Sequence, residues 1–562
     1  MNKKWEYCNV DDNKVKEISE KFGISKLLAT ILVNRNIIKE DEINLFLNPT
    51  RKDFHDPYLM PDMDKAVNRI VKAINEKEKI MIYGDYDVDG ITSITVLKRF
   101  LEERGMDVAE YIPNRLNEGY GLNKEAIKEI ADLGYKLMIT VDCGISGVKE
   151  VEYANSLNIE TIITDHHEPL DEMPNAVAIV NAKRRDNQYP FRGLAGVGVV
   201  FKLIQAIGMK LGLEEKEYLK YLDIVCVGTI SDIVPLVDEN RVIAKLGLRL
   251  VEQTRNLGLK ELIKVSGYKQ INSNTISFGI APRINACGRM GHQKEALQLF
   301  LTENVREAQE ITQKLNQYNK ERQETEKRIF NQAIEKIEKE HINEKSAIIL
   351  GEDDWHHGVI GIVASKITDI YFKPSILICF EGDEGKGSGR SIPGFDLHEA
   401  LCQCNEYLEK YGGHSMAVGL SLKRDKFDTF KVKFEEIAKN SELDTIVPII
   451  KIDRQIYIND FDIELAKELT KLEPFGEGNK MPLFSYKNLK IDSIRALTEG
   501  KHLKLTLRDG NKIINAIGFN MGQLADEYLI GDKVDIVGVL EINRFNGAEI
   551  VQMNLKDIMK SI

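Results

Sequence analysis

No stretch of this chain is long and apolar enough to cross a bilayer as a helix, which excludes an α-helical membrane protein. The opening residues, Met1-Asn2-Lys3-Lys4-Trp5-Glu6-Tyr7, lack the apolar core of a secretory signal. Cysteine is scarce: seven among 562 residues, no C-x-x-C, and one close pair, Cys402 and Cys404. That excludes a disulfide framework and predicts a cytoplasmic protein in a reducing compartment. Positive charge is also short, 77 Lys and Arg against 88 Asp and Glu, a formal net charge of -11. Net charge governs solubility and nonspecific attraction rather than local fields, so a polyanionic ligand would have to be held by local basic positions. The length is too great for one ordinary core and predicts several domains.

What is present is a series of acids and histidines, each placed just after an apolar run. Asp85-Tyr86-Asp87-Val88-Asp89-Gly90 follows Lys79-Ile80-Met81-Ile82-Tyr83-Gly84. Asp142 follows Leu137 to Val141, and Asp165-His166-His167 follows Thr161 to Thr164. Asp232 follows Val225 to Ser231. Short apolar runs of this kind read as buried strands. Ligands of open α/β sheets sit beyond the carboxyl ends of the strands, so four such ends would gather several carboxylates and two imidazoles. Carboxylates that close repel unless cations lie between them, which points to a divalent-metal site, with two metals.

A carboxylate and imidazole set without thiolate favours Mn²⁺ or Mg²⁺. Two such ions about 3.5–4 Å apart clamp the attacking and leaving oxygens of a phosphoryl displacement and acidify a bridging water. The expected chemistry is phosphoester hydrolysis without a covalent enzyme intermediate. Asp-x-Asp-x-Asp-Gly also opens a calcium loop, but that loop needs Glu at its twelfth position, and counting from Asp85 places Val96 there. A lone Asp after a strand is commonly a helix N-cap, and His166-His167 alone would read as an ordinary loop pair. It is the combination that carries the metal reading.

These segments, with Val141-Asp142-Cys143-Gly144 and Gly228-Thr229-Ile230-Ser231-Asp232, resemble the four motifs of the DHH phosphoesterase superfamily. Further segments narrow the resemblance to the RecJ family of single-strand-specific exonucleases. They are Pro113-Asn114-Arg115 with Gly119-Tyr120-Gly121-Leu122, Leu194-Ala195-Gly196-Val197-Gly198, and Ala281-Pro282-Arg283-Ile284-Asn285-Ala286 with Gly288-Arg289. Trp355-His356-His357-Gly358-Val359-Ile360-Gly361, Gly387-Ser388-Gly389-Arg390-Ser391, Gly412-Gly413-His414 and Leu472-Glu473-Pro474-Phe475-Gly476 complete the series. The resemblance covers nearly the whole chain. It implies a 5′→3′ exonuclease on single-stranded DNA that releases 5′-mononucleotides with two Mn²⁺ or Mg²⁺ ions. Recombination and repair beside a helicase and a single-strand-binding protein are implied with it. The chain ends soon after its last expected domain, so the further C-terminal domain of some relatives is expected to be absent.

The metal ligands expected from the motifs are Asp85, Asp87, Asp89, Asp142, His166 and Asp232, with Asp85 the most open to an outer role. His167 is expected to act in catalysis or on phosphate. In the resemblance, Ser388, Arg390 and Arg115 match residues that hold the substrate's 5′-phosphate. Arg283 and Arg289 are expected at the scissile or neighbouring phosphates. Lys183-Arg184-Arg185 and Arg192 are further basic candidates.

The expected fold class is α/β. Residues 1–75 read as a helical region, and β-α alternation over 76–290 predicts a mainly parallel sheet with helices on both faces, the DHH domain. Residues 291–344 read as a long connecting helix, although their composition also suits a coiled-coil arm. Asn316, Asn319, Arg322 and Gln323 lie on it at helical spacing. Residues 345–445 form a second α/β unit resembling a DHHA1 domain, with strands at Ala347–Leu350 and Ser375–Cys379 around a helix from Gly358. Residues 446–562 resemble an OB-fold barrel, with a hairpin turn at Asn546-Gly547. Phe475, Phe484, Phe519 and Phe545 are candidates there for base stacking or for the barrel core. Two rivals stand beside the exonuclease: a DHH-type phosphodiesterase of short oligoribonucleotides or cyclic dinucleotides, and a non-enzymatic replication scaffold. The barrel and the Pro-Asn-Arg segment argue against the first, and the intact motifs against the second.

Overall fold

The computed structural model describes residues 3–561 apart from 115–117, 120, 442, 444, 445, 546 and 547, and apart from the side chains at 545 and 548. Arg115 and the expected Asn546-Gly547 turn therefore lie outside the described residues.

Five short strands build the first sheet. Ile80–Gly84 and Leu137–Val141 are buried along their whole length, as a parallel sheet covered on both faces requires. The sheet order is Val108–Tyr111, Ile80–Gly84, Leu137–Val141, Glu160–Thr164, Ala178–Val180, all parallel. From Ile80–Gly84 the chain runs out to the edge strand and returns to Leu137–Val141 on the other side. Gly84 and Val141 thus end next to each other where the winding reverses, the place where α/β sheets form a ligand crevice.

The fourth apolar run departs from expectation. Val225 to Ser231 belongs to a helix, Leu222–Ser231, whose every residue from Leu222 to Ile230 is buried. A helix buried on all sides has no polar stripe to reveal its 3.6-residue period, and this one is rich in β-branched residues, so it reads like a buried strand. Asp232 reaches the site from a helix C-terminus instead of a strand end.

The helical stretch after residue 291 is two helices, Gln293–Leu301 and the 35-residue Val305–Lys339. The Asn304 side chain accepts the Arg306 and Glu307 N–H groups and starts the second. That helix packs on His357–Tyr371, and Trp355 donates its indole N–H to Gln332 at 3.0 Å. The second sheet runs Lys410–His414, Ala417–Lys423, Glu384–Arg390, Ser375–Glu381, Ile348–Glu352, with one parallel pair at its Ile348 end.

The C-terminal unit is a closed five-strand barrel. Phe484–Leu497 pairs on one side with His502–Asp509 and on the other with Lys533–Phe545, and Lys512–Gly518 and Ala548–Lys560 complete the ring. Its core is not made by the barrel alone. Leu28, Ile31, Leu32 and Phe46 of the N-terminal helices belong to the same buried cluster as Phe484, Leu503 and Leu505. The strand Lys4–Tyr7 pairs with Ile449–Ile452 just before the barrel. The two ends of the chain fold as one body.

Candidate metal centre

The centre is assembled by loops at the switch of the parallel sheet. Asp87 caps the helix Val88–Glu102 through the Gly90 N–H at 3.0 Å. Gly90 has no room for a side chain, since a Cβ would stand 2.3 Å from the Asp85 carbonyl oxygen. Asp89 is the second residue of the helix, 1 % exposed, and accepts the N–H groups of Gly196 and Val197 at 2.6 and 2.8 Å. Those two amides open the helix Gly196–Lys210, whose positive end faces the carboxylate. Gly196 also has to be glycine, because a Cβ would meet the Asp142 side chain at 2.7 Å. Asp142 holds φ +60° beyond its strand, uncommon for a non-glycine residue.

His166 Nε2 lies at the middle of this group, 3.1 Å from Asp142 Oδ1, 3.7 Å from Asp232 Oδ2 and 3.8 Å from Asp89 Oδ2. Burial, with His167 beside it, pulls its pKa down to about 3, so the ring is neutral and offers a lone pair. The carboxyls move the other way. Burial and the nearby Asp87 push Asp89 up to about 7, and burial with Asp89 and Asp87 pushes Asp232 up to about 9. Asp142, buried among Asp89, Asp87, Asp85 and Asp232, is raised well above the carboxylate range. Such a cluster calls for cationic compensation.

The donor atoms fall into two triads with no shared residue, Asp85/Asp87/Asp142 and Asp89/His166/Asp232, each within 4.8 Å internally. A third grouping, Asp142/His166/His167, bridges them. Six oxygen and nitrogen donors without thiolate fit two hard or borderline divalent cations.

Sequence reasoning left out Asp165, although it stands in the Asp-His-His motif. Its carboxylate is buried, accepts the N–H groups of Ile145, His166 and His167, and lies 2.7 Å from His167 Nδ1. Burial opposes its ionisation, but the His167 ring and these amides outweigh that and hold it below the usual range. His167 is in turn raised by Asp165 against its own burial.

The basic candidates separate. Arg289, at the end of the helix Ala281–Arg289, donates to the Gly358 carbonyl at 2.9 Å. Gly358 approaches so closely that a Cβ would be 2.6 Å from the Arg289 carbonyl oxygen, and a Cβ on Gly288 would be 3.0 Å from that of Tyr86. This line of backbone contacts sets the second α/β unit against the Asp85–Asp89 loop. Ser388 and Arg390 come together on Glu384–Arg390, with Nη1 donating to the Ser388 hydroxyl at 3.0 Å beside Gly361. Arg283 is not brought to the acids: its guanidinium donates to the carbonyls of Gly279 and Val265 and to Asn316. Arg184 is committed to Asp62, Asp186 and the Ile179 carbonyl, Arg185 pairs with Asp171, and Arg192 donates to the Lys183 carbonyl. Of the aromatic candidates, Phe484 fills the barrel core, Phe475 is half-buried, and Phe519 is exposed with its ring edge-on to His502. The Phe545 side chain is not among those described.

Three family models match the chain: the DHH family, N-terminal domain, over residues 79–229, the DHHA1 domain over 344–440, and the RecJ OB domain over 452–557. The single-stranded-DNA-specific exonuclease RecJ of Bacillus subtilis is 40% identical over 99% of this chain and 70% of its own length. The protein of the same name from Haemophilus influenzae is 34% identical over 90% of this chain and 92% of its own. A crystal structure of RecJ in complex with Mn²⁺ from Thermus thermophilus covers all of this chain and 80% of its own, at 29% identity and a TM-score of 0.88. The corresponding Mg²⁺ complex, at 28% identity, has a TM-score of 0.80, covering 100% of this chain and 79% of its own.

Proposed function

The chain belongs to the RecJ family of single-stranded-DNA-specific exonucleases, and from that membership and the geometry of the metal centre we propose that it removes 5′-mononucleotides stepwise from the 5′ end. It is a single-stranded-DNA exonuclease and a metal-dependent phosphodiester hydrolase. The observation that carries the reading is the pair of separate donor triads at one sheet switch.

Asp85, Asp87 and Asp142 would hold one divalent cation and Asp89, His166 and Asp232 the other, with Mn²⁺ or Mg²⁺ as the ions that suit these donors. Bound there, such cations supply Lewis acidity to the phosphate and lower the pKa of water. The remaining work falls to the chain's own groups. Asp165 fixes the His167 ring at the rim, where it meets a phosphate oxygen. Arg289, braced on Gly358, borders the same cleft. Ser388 and Arg390 seat the terminal 5′-phosphate, joined in the proposal by Arg115. A seat of that kind makes an exonuclease, because it fixes the end of the strand so that the first phosphodiester lies over the carboxylates. The barrel engages the strand further along. Work beside a helicase and a single-strand-binding protein, in cytoplasmic recombination and repair, belongs to the proposal. No helix among the described residues is long and apolar enough to cross a membrane.

The test is a long 5′-phosphorylated single strand labelled at one end or the other, incubated with Mn²⁺, Mg²⁺ or chelator. Metal-dependent mononucleotide release that begins at the 5′ label is expected. Loss of the 3′ label first would overturn the polarity, and cleavage confined to dinucleotides would overturn the substrate. Arg390→Ala is expected to erase the preference for 5′-phosphate over 5′-hydroxyl ends; equal loss on both ends would remove Arg390 from the seat.

A further inference from the structure

Beside Asp232 the structure opens a cavity of about 640 Å³, in the size range of ligand pockets. Ser231 and Ile233, the residues on either side of Asp232, line it together with Phe278, Pro282 and Phe475. Ile233 and Phe278 are 71 % and 69 % exposed, large apolar side chains that a folded core would cover. Both stand on unusual backbone. Ile233 is a β-branched residue at φ +59°, a backbone region such residues avoid. Phe278 stands on a π-helix, Thr275–Ile280, a rare element met at functional sites. Arg283 explains how that turn persists: its guanidinium donates to the Gly279 carbonyl and is locked by Asn316.

The cavity also carries charge. Arg289, Arg322 and Lys366 line it against two carboxylates, Glu326 and Glu477. Arg322 and Lys366 both pair with Glu326, which fixes them in place. Apolar surfaces facing a wall with an excess of cations suit one kind of occupant next to a phosphodiester-cleaving centre: bases lying on Phe278 and Ile233, with their phosphates toward the cations.

Resting on the exonuclease reading, we propose that this cavity is a base-binding subsite and that Phe278 and Ile233 position the nucleotides next to the scissile bond. The occupant is single-stranded DNA, held by stacking and without regard to base identity, since every base has a π-face.

The experiment uses the full chain with Mn²⁺ and a series of 5′-phosphorylated single strands, each with one abasic site at a successive position. Wild-type enzyme is expected to slow when the abasic position enters the cavity. Phe278→Ala is expected to raise KM on the intact strand about tenfold and to be indifferent to that abasic position, while Phe278→Trp restores both. Ile233→Asn, which suits the positive φ, is expected to raise Tm while raising KM, a combination that a purely structural role would not give. Wild-type indifference to abasic sites, or a wild-type KM for Phe278→Ala, overturns the subsite. Absence of any digestion of the intact strand by wild-type enzyme would instead bring down the exonuclease reading on which the proposal rests.

Discussion

At the residue scale, the metal centre is a place where charge is stored against its own repulsion. Asp232 has burial and two neighbouring carboxylates against it, with its pKa pushed up to about 9. Replacing it with Asn should therefore leave the metal-free protein at least as stable as wild type while abolishing hydrolysis. Differential scanning fluorimetry checks this: the Tm rise that Mn²⁺ gives the wild type should shrink sharply in Asp232→Asn, because binding to the native state stabilises by RT ln(1 + [L]/Kd). An equal metal-induced rise in both proteins would remove Asp232 from the ligand set. Gly90 supplies a second case. A Cβ there would stand 2.3 Å from the Asp85 carbonyl, so Gly90→Ala must displace the loop that carries Asp85 and Asp87. Activity is expected to fall at least a hundredfold with circular dichroism unchanged, as about 1 Å of misplacement costs on that order. The chemistry of these residues was legible because Asp-Tyr-Asp-Val-Asp-Gly and Asp-His-His carry it in consecutive letters. Asp165 was quoted in its motif but given no role of its own, because it works through the His167 ring and three backbone amides, and amide partners leave no mark of their own in the sequence.

At the scale of elements, strands on the sheet were readable from their apolar runs, whereas Leu222–Ser231 was not, since total burial erases the helical period. What holds that region is also hidden from pattern. Lys202, on the helix whose first amides bind Asp89, is fully buried and donates to Glu239 at 2.7 Å and to the His55 carbonyl at 2.6 Å. Glu239 accepts in addition the His55 N–H and the Tyr189 hydroxyl. Removing one partner of such a pair leaves an uncompensated charge in the core. Glu239→Ala is expected to cost about 3–5 kcal/mol in urea unfolding. Lys202→Met combined with Glu239→Leu should recover much of that, because the buried charge is then gone from both sides. A double variant as unstable as Glu239→Ala would place the stabilisation in the hydrogen bonds of His55 and Tyr189 instead.

At the scale of the whole molecule, the expected order of regions conceals a closure. The N-terminal helices read as a separate segment because their amphipathic pattern says only that one face is buried, not against what. That face is completed by the barrel some four hundred residues later. Arg241 fastens this composite body to the catalytic unit. It is fully buried, stacks on the Phe46 ring, and donates to the carbonyls of Phe46, Leu472 and Glu473. One guanidinium thus joins the helix Asp238–Val251 to an N-terminal helix and to the Leu472-Glu473-Pro474-Phe475-Gly476 turn. Lys245 adds a fourth hydrogen bond to the seam, as the second donor to the Glu473 carbonyl. Arg241→Ala takes the donor from the Phe46 carbonyl, at about 1–3 kcal/mol for a buried group left unsatisfied, while Asn479 still donates to Leu472 and Lys245 to Glu473. Because the loss falls on the seam and not within either core, the expected result in calorimetry is a split of one unfolding transition into two, the barrel with its N-terminal helices melting apart from the catalytic unit. Asp232 is only nine residues from Arg241, but Asp85, Asp87, Asp89, Asp142 and His166 follow strands of the parallel sheet, so the metal centre should still take up Mn²⁺ in the variant. Digestion of long strands should suffer more than cleavage of very short ones, since only the former need the barrel and the metal centre held in register. A single shifted transition would mean that the seam is held chiefly by the apolar contacts around Arg241, and equal losses on long and short strands would mean that the centre itself depends on the seam.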